Sequence, residues 1–280
     1  MSVASDLVGL DSDKYAYQRA EILVAIIKAH LKNGDKVDAE KVFDEMDSGL
    51  TTTFQEARLA ILEANYSEAN LQTYLKESEG YVDFTKWISL TGASGLLAKH
   101  GQIDRALSLA ETIEDDSHQS NCLVKNIEIL LENFGNSERA EEVLHYIKVD
   151  EYEWEALYLL AQYYAKHNQL ERGYGCAQQI SSGIEKFFTL LGLCEQQGTD
   201  RFIDEAVTIL DSLDSYIWEV YGYANLIRVL VKIGDLERAE LNIGRKQKKE
   251  YAVECYMLLA QALHKKNNAG YDEGNAENAR

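Results

Sequence analysis

The chain alternates between stretches whose apolar residues recur every three or four positions and short polar stretches that interrupt them. One apolar stretch carries Tyr223, Leu226, Ile227 and Leu230. A second stripe begins at Leu236, just after the next polar stretch. Spacings of three and four place such residues on one face of a helix. The pattern therefore predicts helices that follow one another in pairs.

The polar interruption has a sequence of its own, which returns along the chain. KIGDLERAE begins at position 232, and related strings are KNGDKVDAE at 32, KHGQIDRAL at 99, NFGNSERAE at 133 and KHNQLERGY at 166. Gly or Asn at the third position favours the left-handed conformation that ends a helix. The residue after it, such as Asp235 or Asn136, suits the N-cap of a second helix. Each string thus predicts the bend of a helix hairpin.

The period of the repeat follows from the small residue after each bend. The residues at this position are Ala39, Ala69, Ala106, Ala140, Gly173, Ala206 and Ala239, with successive gaps of 30, 37, 34, 33, 33 and 33. A hairpin of about 33 residues cannot bury its apolar face alone, so neighbours must stack. We predict an all-α, right-handed α-solenoid of about seven helix hairpins plus a terminal helix.

The same pattern sets the expected boundaries. Helical periodicity extends over residues 15–266, with the terminal helix at about 253–266. Residues 1–14 then form an N-terminal extension, and residues 267–280, which lack apolar periodicity, a disordered acidic tail.

The period, the bend spacing and the paired helices resemble tetratricopeptide (TPR) repeats across about residues 15–266. In that family a small residue lies seven positions before the bend glycine, where the two helices approach closely. Small residues at this position are Ala57, Ser94, Ala161 and Ala260. Larger ones are Ile27, Glu128 and Ile227. The family's junction proline is absent throughout, so the resemblance is to a divergent member.

A second resemblance covers one repeat only. AEKVFDEM, at positions 39–46, resembles the second helix of a pentatricopeptide (PPR) repeat, a family that binds single-stranded RNA. Other second helices, such as AEEVLHYI at 140–147, keep only the hydrophobic spacing. Single-stranded RNA binding therefore stands as the alternative function.

Charge argues against that alternative. The 28 basic and 47 acidic residues give a net charge of −19, which repels nucleic acid and anionic membranes at long range. We therefore expect no nucleic-acid and no membrane partner. The N-terminus lacks a signal peptide's basic start and apolar core, and no stretch approaches 18 apolar residues. A cytoplasmic location is expected.

Catalytic and metal-binding patterns are missing from the sequence. No zinc-protease, Walker, dinucleotide-binding or nucleophile-elbow motif occurs. The four cysteines have no close spacing and are expected to be small buried hydrophobes. We therefore predict a non-enzymatic protein without a cofactor or metal.

A lysine lies two residues before most bends, at Lys32, Lys99, Lys166, Lys232 and Lys265. A cation in the last turn of a helix stabilises it against the helix dipole by about 0.3–1 kcal/mol. Alternatively, equivalent lysines from successive repeats form a ladder that attracts an acidic peptide or a carboxylate. The sequence leaves both accounts open.

In a TPR-like stack the first helices line the concave face, which is the predicted surface for a partner protein or peptide. The residues predicted to bind it are Lys99, Tyr158, Gln162, Lys166, Tyr221, Arg228, Lys232, Met257, Gln261 and Lys265. Tyrosines in these helices either fill wide spaces between helices or form a recognition surface. The partner is expected to carry acidic or carboxylate groups. The oligomeric state does not follow from the sequence.

Overall fold

A computed structural model describes residues 15–49, 51–213, 216–243, 256–257, 259–261 and 263–264. Within these ranges all regular structure is helical. The chain divides into two compact units, residues 1–152 and 153–280, which are described separately. The predicted extension at 1–14 and the predicted tail at 267–280 lie outside the described residues.

The helices follow the predicted pairs. Up to residue 152 they are α1 (Ala16–Lys32), α2 (Lys36–Asp44), α3 (Thr51–Ala64), α4 (Glu68–Ser78), α5 (Asp83–Lys99), α6 (Ile103–Glu111), α7 (Asp116–Phe134) and α8 (Ser137–Leu144). Those that follow are α9 (Asp150–Lys166), α10 (Leu170–Gln179), α11 (Gly183–Gln197), α12 (Ile203–Ser212), α13 (Tyr216–Ile233) and α14 (Leu236–Ile243). The described residues between 256 and 264 are also helical, where the terminal helix is predicted.

Odd-numbered helices are the first helices of the hairpins, and they form the contacts between successive repeats. In the first unit α1 packs on α3, α3 on α5 and α5 on α7, while each also packs on its own second helix. In the second unit α11 packs on α10, α12 and α13, and α13 packs on α14. This neighbour-to-neighbour packing confirms the α-solenoid class.

The bends have the predicted backbone. Gly34, Gly101, Gly135 and Gly234 have φ between 61° and 86°, in the left-handed region that only glycine adopts without cost. Asn168 takes the same conformation at φ 59°. The predicted N-caps form as well, since the Asn136 side chain accepts from the Arg139 amide at 3.0 Å. The Asp235 carboxylate likewise accepts from the Arg238 amide, at 3.1 Å.

One residue in the predicted period is wrong. Ala69 is exposed, and the fully buried residue of α4 at this place is Leu71. Leu71 lies four positions after the N-cap Ser67, just as Ala106 lies four after the N-cap Gln102. The first two gaps then become 32 and 35. A leucine at this place hides the register, because the expected small residue is missing from the second repeat.

The helices of a hairpin approach closely where small residues are predicted. A Cβ added at Gly173 would lie 2.9 Å from Leu193 Cδ2 and 3.0 Å from the Ala161 carbonyl oxygen. In the third hairpin the Ser94 hydroxyl donates to the Ala106 carbonyl at 2.8 Å. These contacts explain the small residues at both positions of the TPR-like pattern in the third and fifth hairpins, namely Ser94 with Ala106 and Ala161 with Gly173.

Ion pairs join the second helix of one repeat to the preceding repeat. The pairs of this acid–arginine ladder are Arg105–Glu68, Arg139–Asp104, Arg201–Glu171, Arg238–Asp200 and Arg238–Asp204. Each arginine of the ladder follows an acidic residue in the sequence, at 104–105, 138–139, 200–201 and 237–238. The repeat pattern predicts these dipeptides only as part of a polar stretch.

Glu68 shows the electrostatic effect of the ladder. Hydrogen bonds from Arg105, and then from Gln72, lower the pKa of Glu68 from 4.5 to about 2. The contact with Arg105 is bidentate, at 2.8 and 2.9 Å, the geometry that suits a guanidinium and a carboxylate.

Two substitutions in α10 test the close approach. Gly173→Ala should lower the free energy of unfolding by about 1–3 kcal/mol, because the new methyl group meets a backbone oxygen that has little room to move. Gly175→Ala is the matched control, since an added Cβ there has no atom within 4 Å. It should raise stability by about 0.5–1 kcal/mol through helix propensity. Urea denaturation measures both, and equal effects of the two substitutions would contradict the close approach.

The Glu68–Arg105 pair should contribute to acid unfolding. Because the folded-state pKa of Glu68 is depressed, its stabilisation is present above pH 4.5 and is lost as the pH falls towards about 2. Glu68→Gln should flatten the loss of stability in this window, measured by urea denaturation at several pH values. Glu79→Gln, an exposed glutamate at the other end of α4, is the control and should leave the slope unchanged.

Candidate binding grooves on the first helices

The first helices of the second unit enclose an open groove. α9, α11 and α13 line a cavity of about 490 Å³, hereafter the second-unit groove. Trp154 and Tyr158 form one wall, since a spacing of four places them on one face of α9. Phe188 of α11 lies between that wall and α13. Three aromatic rings therefore face one cavity.

Charged groups of the second-unit groove differ in whether they have partners. Glu195 is paired with Lys232 at 2.6 Å. Glu185 has a buried carboxylate oxygen, Oε2, that receives no hydrogen bond within the described part of the chain. Arg228 is exposed, and the structure gives it no carboxylate among the described residues. The groove thus contains one carboxylate and one guanidinium that lack counter-charges.

Gln162 lies behind the lining of the same groove, against Gly192. Its Nε2 is buried and has no acceptor within the described residues. Gly192, which lines the groove from α11, makes room for this amide, because an added Cβ would overlap Nε2. Gln162 is therefore packed between the two helices, and its head group is not presented on the open surface.

The first unit has a corresponding groove of about 340 Å³ between α3, α5 and α7. Gly92 and Gly95 give it a flat floor, and Leu59 packs against Gly92. No aromatic ring lines it; its charged residues are Glu63, Lys99, Lys125, Glu128 and Glu132. This groove offers fewer large apolar contacts than the second-unit groove.

The recurring lysines lie in the last turns of first helices, as predicted, at Lys32, Lys99, Lys166 and Lys232. Lys265 lies outside the described residues. Lys99 contacts Glu63 at 2.7 Å, on the preceding first helix. Lys232 contacts Glu195 in the same way. Neither account from the sequence included this ion pair between repeats, whose signal is a glutamate 36 or 37 residues before the lysine.

Tyrosines serve both predicted purposes at different positions. Tyr164 and Tyr223 are fully buried and fill space between helices. Tyr158 is 37% exposed in the second-unit groove, and Tyr221 is 51% exposed on α13. The exposed fraction of the side chain therefore distinguishes tyrosines that fill space between helices from tyrosines that are candidate contact residues.

The predicted binding residues divide by location. Tyr158 and Arg228 line the second-unit groove. Gln162 packs against Gly192 behind its lining, and Lys232 is paired with Glu195, which lines it. Lys99 lines the first-unit groove. The exposed residues that line neither groove are Lys166, Tyr221, Met257 and Gln261. Trp154, Glu185 and Phe188 were missed, although the spacing of Trp154 and Tyr158 pointed to one face.

Three of the four cysteines are buried, as predicted: Cys122, Cys176 and Cys194. Burial raises the pKa of the Cys194 thiol to about 11, which suppresses the reactive thiolate. Cys255 lies outside the described residues. Within the described ranges no group of three or more His, Cys, Asp and Glu side chains is placed to hold a metal. None of the described helices is long and apolar enough to cross a membrane.

Comparison with known proteins adds one family match. The family described as PPR repeat matches residues 22–48, which include most of α1 and all of α2. This match and the helical fold fit a divergent TPR-like helical-repeat protein. Repeat stacks of this kind are binding scaffolds. No curated protein and no solved structure gives a significant match.

The matched segment contains AEKVFDEM, the string that resembles a PPR second helix. PPR repeats usually bind RNA. The match therefore favours the RNA alternative and conflicts with the expectation of no nucleic-acid partner. It covers about a tenth of the chain.

A double-mutant cycle tests the ion pair at the end of the second-unit groove. Lys232→Gln and Glu195→Gln should show a coupling of about 0.2–1 kcal/mol in the free energy of unfolding, the usual range for exposed pairs. The coupling should vanish in 1 M NaCl, where the Debye length is about 3 Å. Lys32→Gln is the control for the dipole alone, because Lys32 has no carboxylate partner among the described residues. If the coupling is zero at low salt, only the helix-dipole explanation of Lys232 remains.

Proposed function

We propose that this chain is a non-enzymatic scaffold that binds a segment of a partner protein along the second-unit groove. The observation that supports this most directly is the set of three aromatic rings beside unpaired Glu185 and Arg228 in one cavity. Aromatic residues and arginine are enriched at protein interfaces and dominate their binding energy. A cavity of about 490 Å³ also falls in the usual range for binding pockets.

Use of the basic residues supports a protein partner over RNA. Binding of nucleic acid depends on lysines and arginines that neutralise phosphates. Here many of these residues are already paired with acids of the same chain, namely Arg105, Arg139, Arg201, Arg238, Lys99 and Lys232. A phosphate backbone would have to displace those acids in a chain of net charge −19.

The partner's chemistry follows from the same pairing. An acidic partner was expected at the lysine ladder, but Lys99 and Lys232 already contact glutamates. Arg228 has no such contact among the described residues, so we assign it the acidic group of the partner. Tyr158 would supply apolar contact beside it, and Gln162 would support the groove from behind Gly192. The other predicted binding residues are not part of this set of contacts. They are Lys99, Lys166, Tyr221, Met257, Gln261 and Lys265.

The second candidate function is single-stranded RNA binding, which the PPR match at residues 22–48 favours. The surface concerned would be the hairpin α1–α2, where Lys32 is exposed. The charge balance opposes it, so the two functions call for one direct comparison.

A parallel binding measurement separates the two candidates. A phage-displayed library of random 12-residue peptides, selected on the full chain, should enrich peptides whose binding is lost in Tyr158→Ala. Tyr146→Ala, an exposed tyrosine outside the groove, is the matched control and should keep binding. A 20-nucleotide single-stranded RNA of mixed sequence should bind more weakly than about 10 μM at physiological salt, by comparison with ordinary non-specific affinity.

The opposite pattern would replace the proposal by the second candidate. It would consist of submicromolar RNA binding that is weakened by Lys32→Glu, together with no peptide whose binding depends on Tyr158.

A further inference from the structure

The Lys232–Glu195 contact sets the register between the two helices that form the charged part of the second-unit groove. Each residue lies in the last turn of its helix, so α11 and α13 end at the same level and run in the same direction. One turn earlier on each helix stand Arg228 and Leu191. The backbone of Arg228 therefore lies at about the level of Leu191.

Glu185 lies six residues before Leu191 on α11, which corresponds to about 9 Å at 1.5 Å per residue. The groove thus places an unpaired carboxylate and an unpaired guanidinium at two separate levels along its length. Phe188 stands midway between these levels. Because the charges are far apart, they do not neutralise each other directly.

Glu185 has the properties of a site for a cation. A buried carboxylate oxygen without a donor destabilises the free protein, and Glu185 Oε2 is such an atom. Trp154 and Phe188 line the same cavity, and aromatic faces attract ammonium and guanidinium groups. A lysine or arginine side chain can therefore gain both a counter-charge and ring contacts here.

We infer that Glu185 binds a lysine or arginine of the partner segment, while Arg228 binds an acidic group of the same segment. This inference rests on the proposed function and names the partner's sequence class. An apolar residue between the two charges would contact Phe188. The separation of about 9 Å corresponds to about three residues of an extended segment or about six of a helical one.

The experiment uses the same 12-residue phage library on the full chain and three variants. Peptides selected on the wild type should share a basic and an acidic residue at a fixed spacing of three or six, with an apolar residue between them. Glu185→Gln should abolish the preference for the basic residue, and Arg228→Gln the preference for the acidic one. Glu155→Gln is the matched control, because Glu155 is an exposed glutamate of α9 that does not line the groove, and should keep the basic preference.

Affinities of one selected peptide make the test quantitative. Glu185→Gln should weaken its binding at least about tenfold, as expected for loss of a charged hydrogen bond. Glu155→Gln should change it by less than about threefold. The melting temperature of Glu185→Gln should stay close to that of the wild type. The substitution removes a carboxylate with one buried, unpartnered oxygen, but also a favourable charge in the first turn of α11. A folded variant keeps the comparison valid.

Two results overturn the inference in different ways. Groove-dependent peptides without a basic residue, or with unchanged selection on Glu185→Gln, would overturn the inference but leave the proposed function standing. Absence of any peptide that depends on Tyr158 would overturn both.

Discussion

A helix hairpin of about 33 residues has more apolar surface than its own two helices can bury. Each first helix must therefore be shared by its own second helix and by the first helices of neighbouring hairpins within its unit. α5 illustrates this, since it packs on α3, α6 and α7. Small residues such as Gly173 and Ser94 allow the close approach that the sharing needs. Bends, caps and grooves take their places from this packing.

The excess of acidic residues is the second constraint on this structure. A net charge of −19 destabilises a compact chain through self-repulsion. Much of that repulsion is offset locally, because arginines and lysines contact acids of the preceding repeat. Single exposed pairs contribute little, but their recurrence places them at junctions between repeats. Glu185 and Arg228 in the second-unit groove differ from these residues, because neither has a counter-charge among the described residues.

The features that could be predicted from the sequence are those that occur in every repeat. The helix pairs, the left-handed bends at Gly101 and Gly234, and the caps at Asn136 and Asp235 each depend on local residue types. The register of the second repeat was wrong because Leu71 takes the place of a small residue. Long-range partners were also missed, since no local preference indicates that Lys99 contacts Glu63.

The candidate site was harder to predict than the fold. Tyr158 and Arg228 were predicted because they lie eight and four residues before the recurring lysines Lys166 and Lys232 of their first helices, and both line one cavity. Glu185 was not predicted from the sequence. It stands out only because no described group donates a hydrogen bond to its Oε2, and this depends on how the neighbouring helices pack. Gln162 has the correct position but a buried head group, since Gly192 leaves a space that the amide fills.

The acid–arginine ladder has a consequence for how the protein unfolds. In a repeat protein, stability divides into a term for each hairpin and a coupling term for each junction. The apolar core contributes to both terms, whereas Arg139–Asp104 and Arg238–Asp204 act only at junctions. High ionic strength therefore weakens the coupling within each unit, besides the ion pairs inside single hairpins such as Arg139–Glu142. As the coupling between neighbouring hairpins decreases, shorter lengths of chain should unfold as one cooperative block.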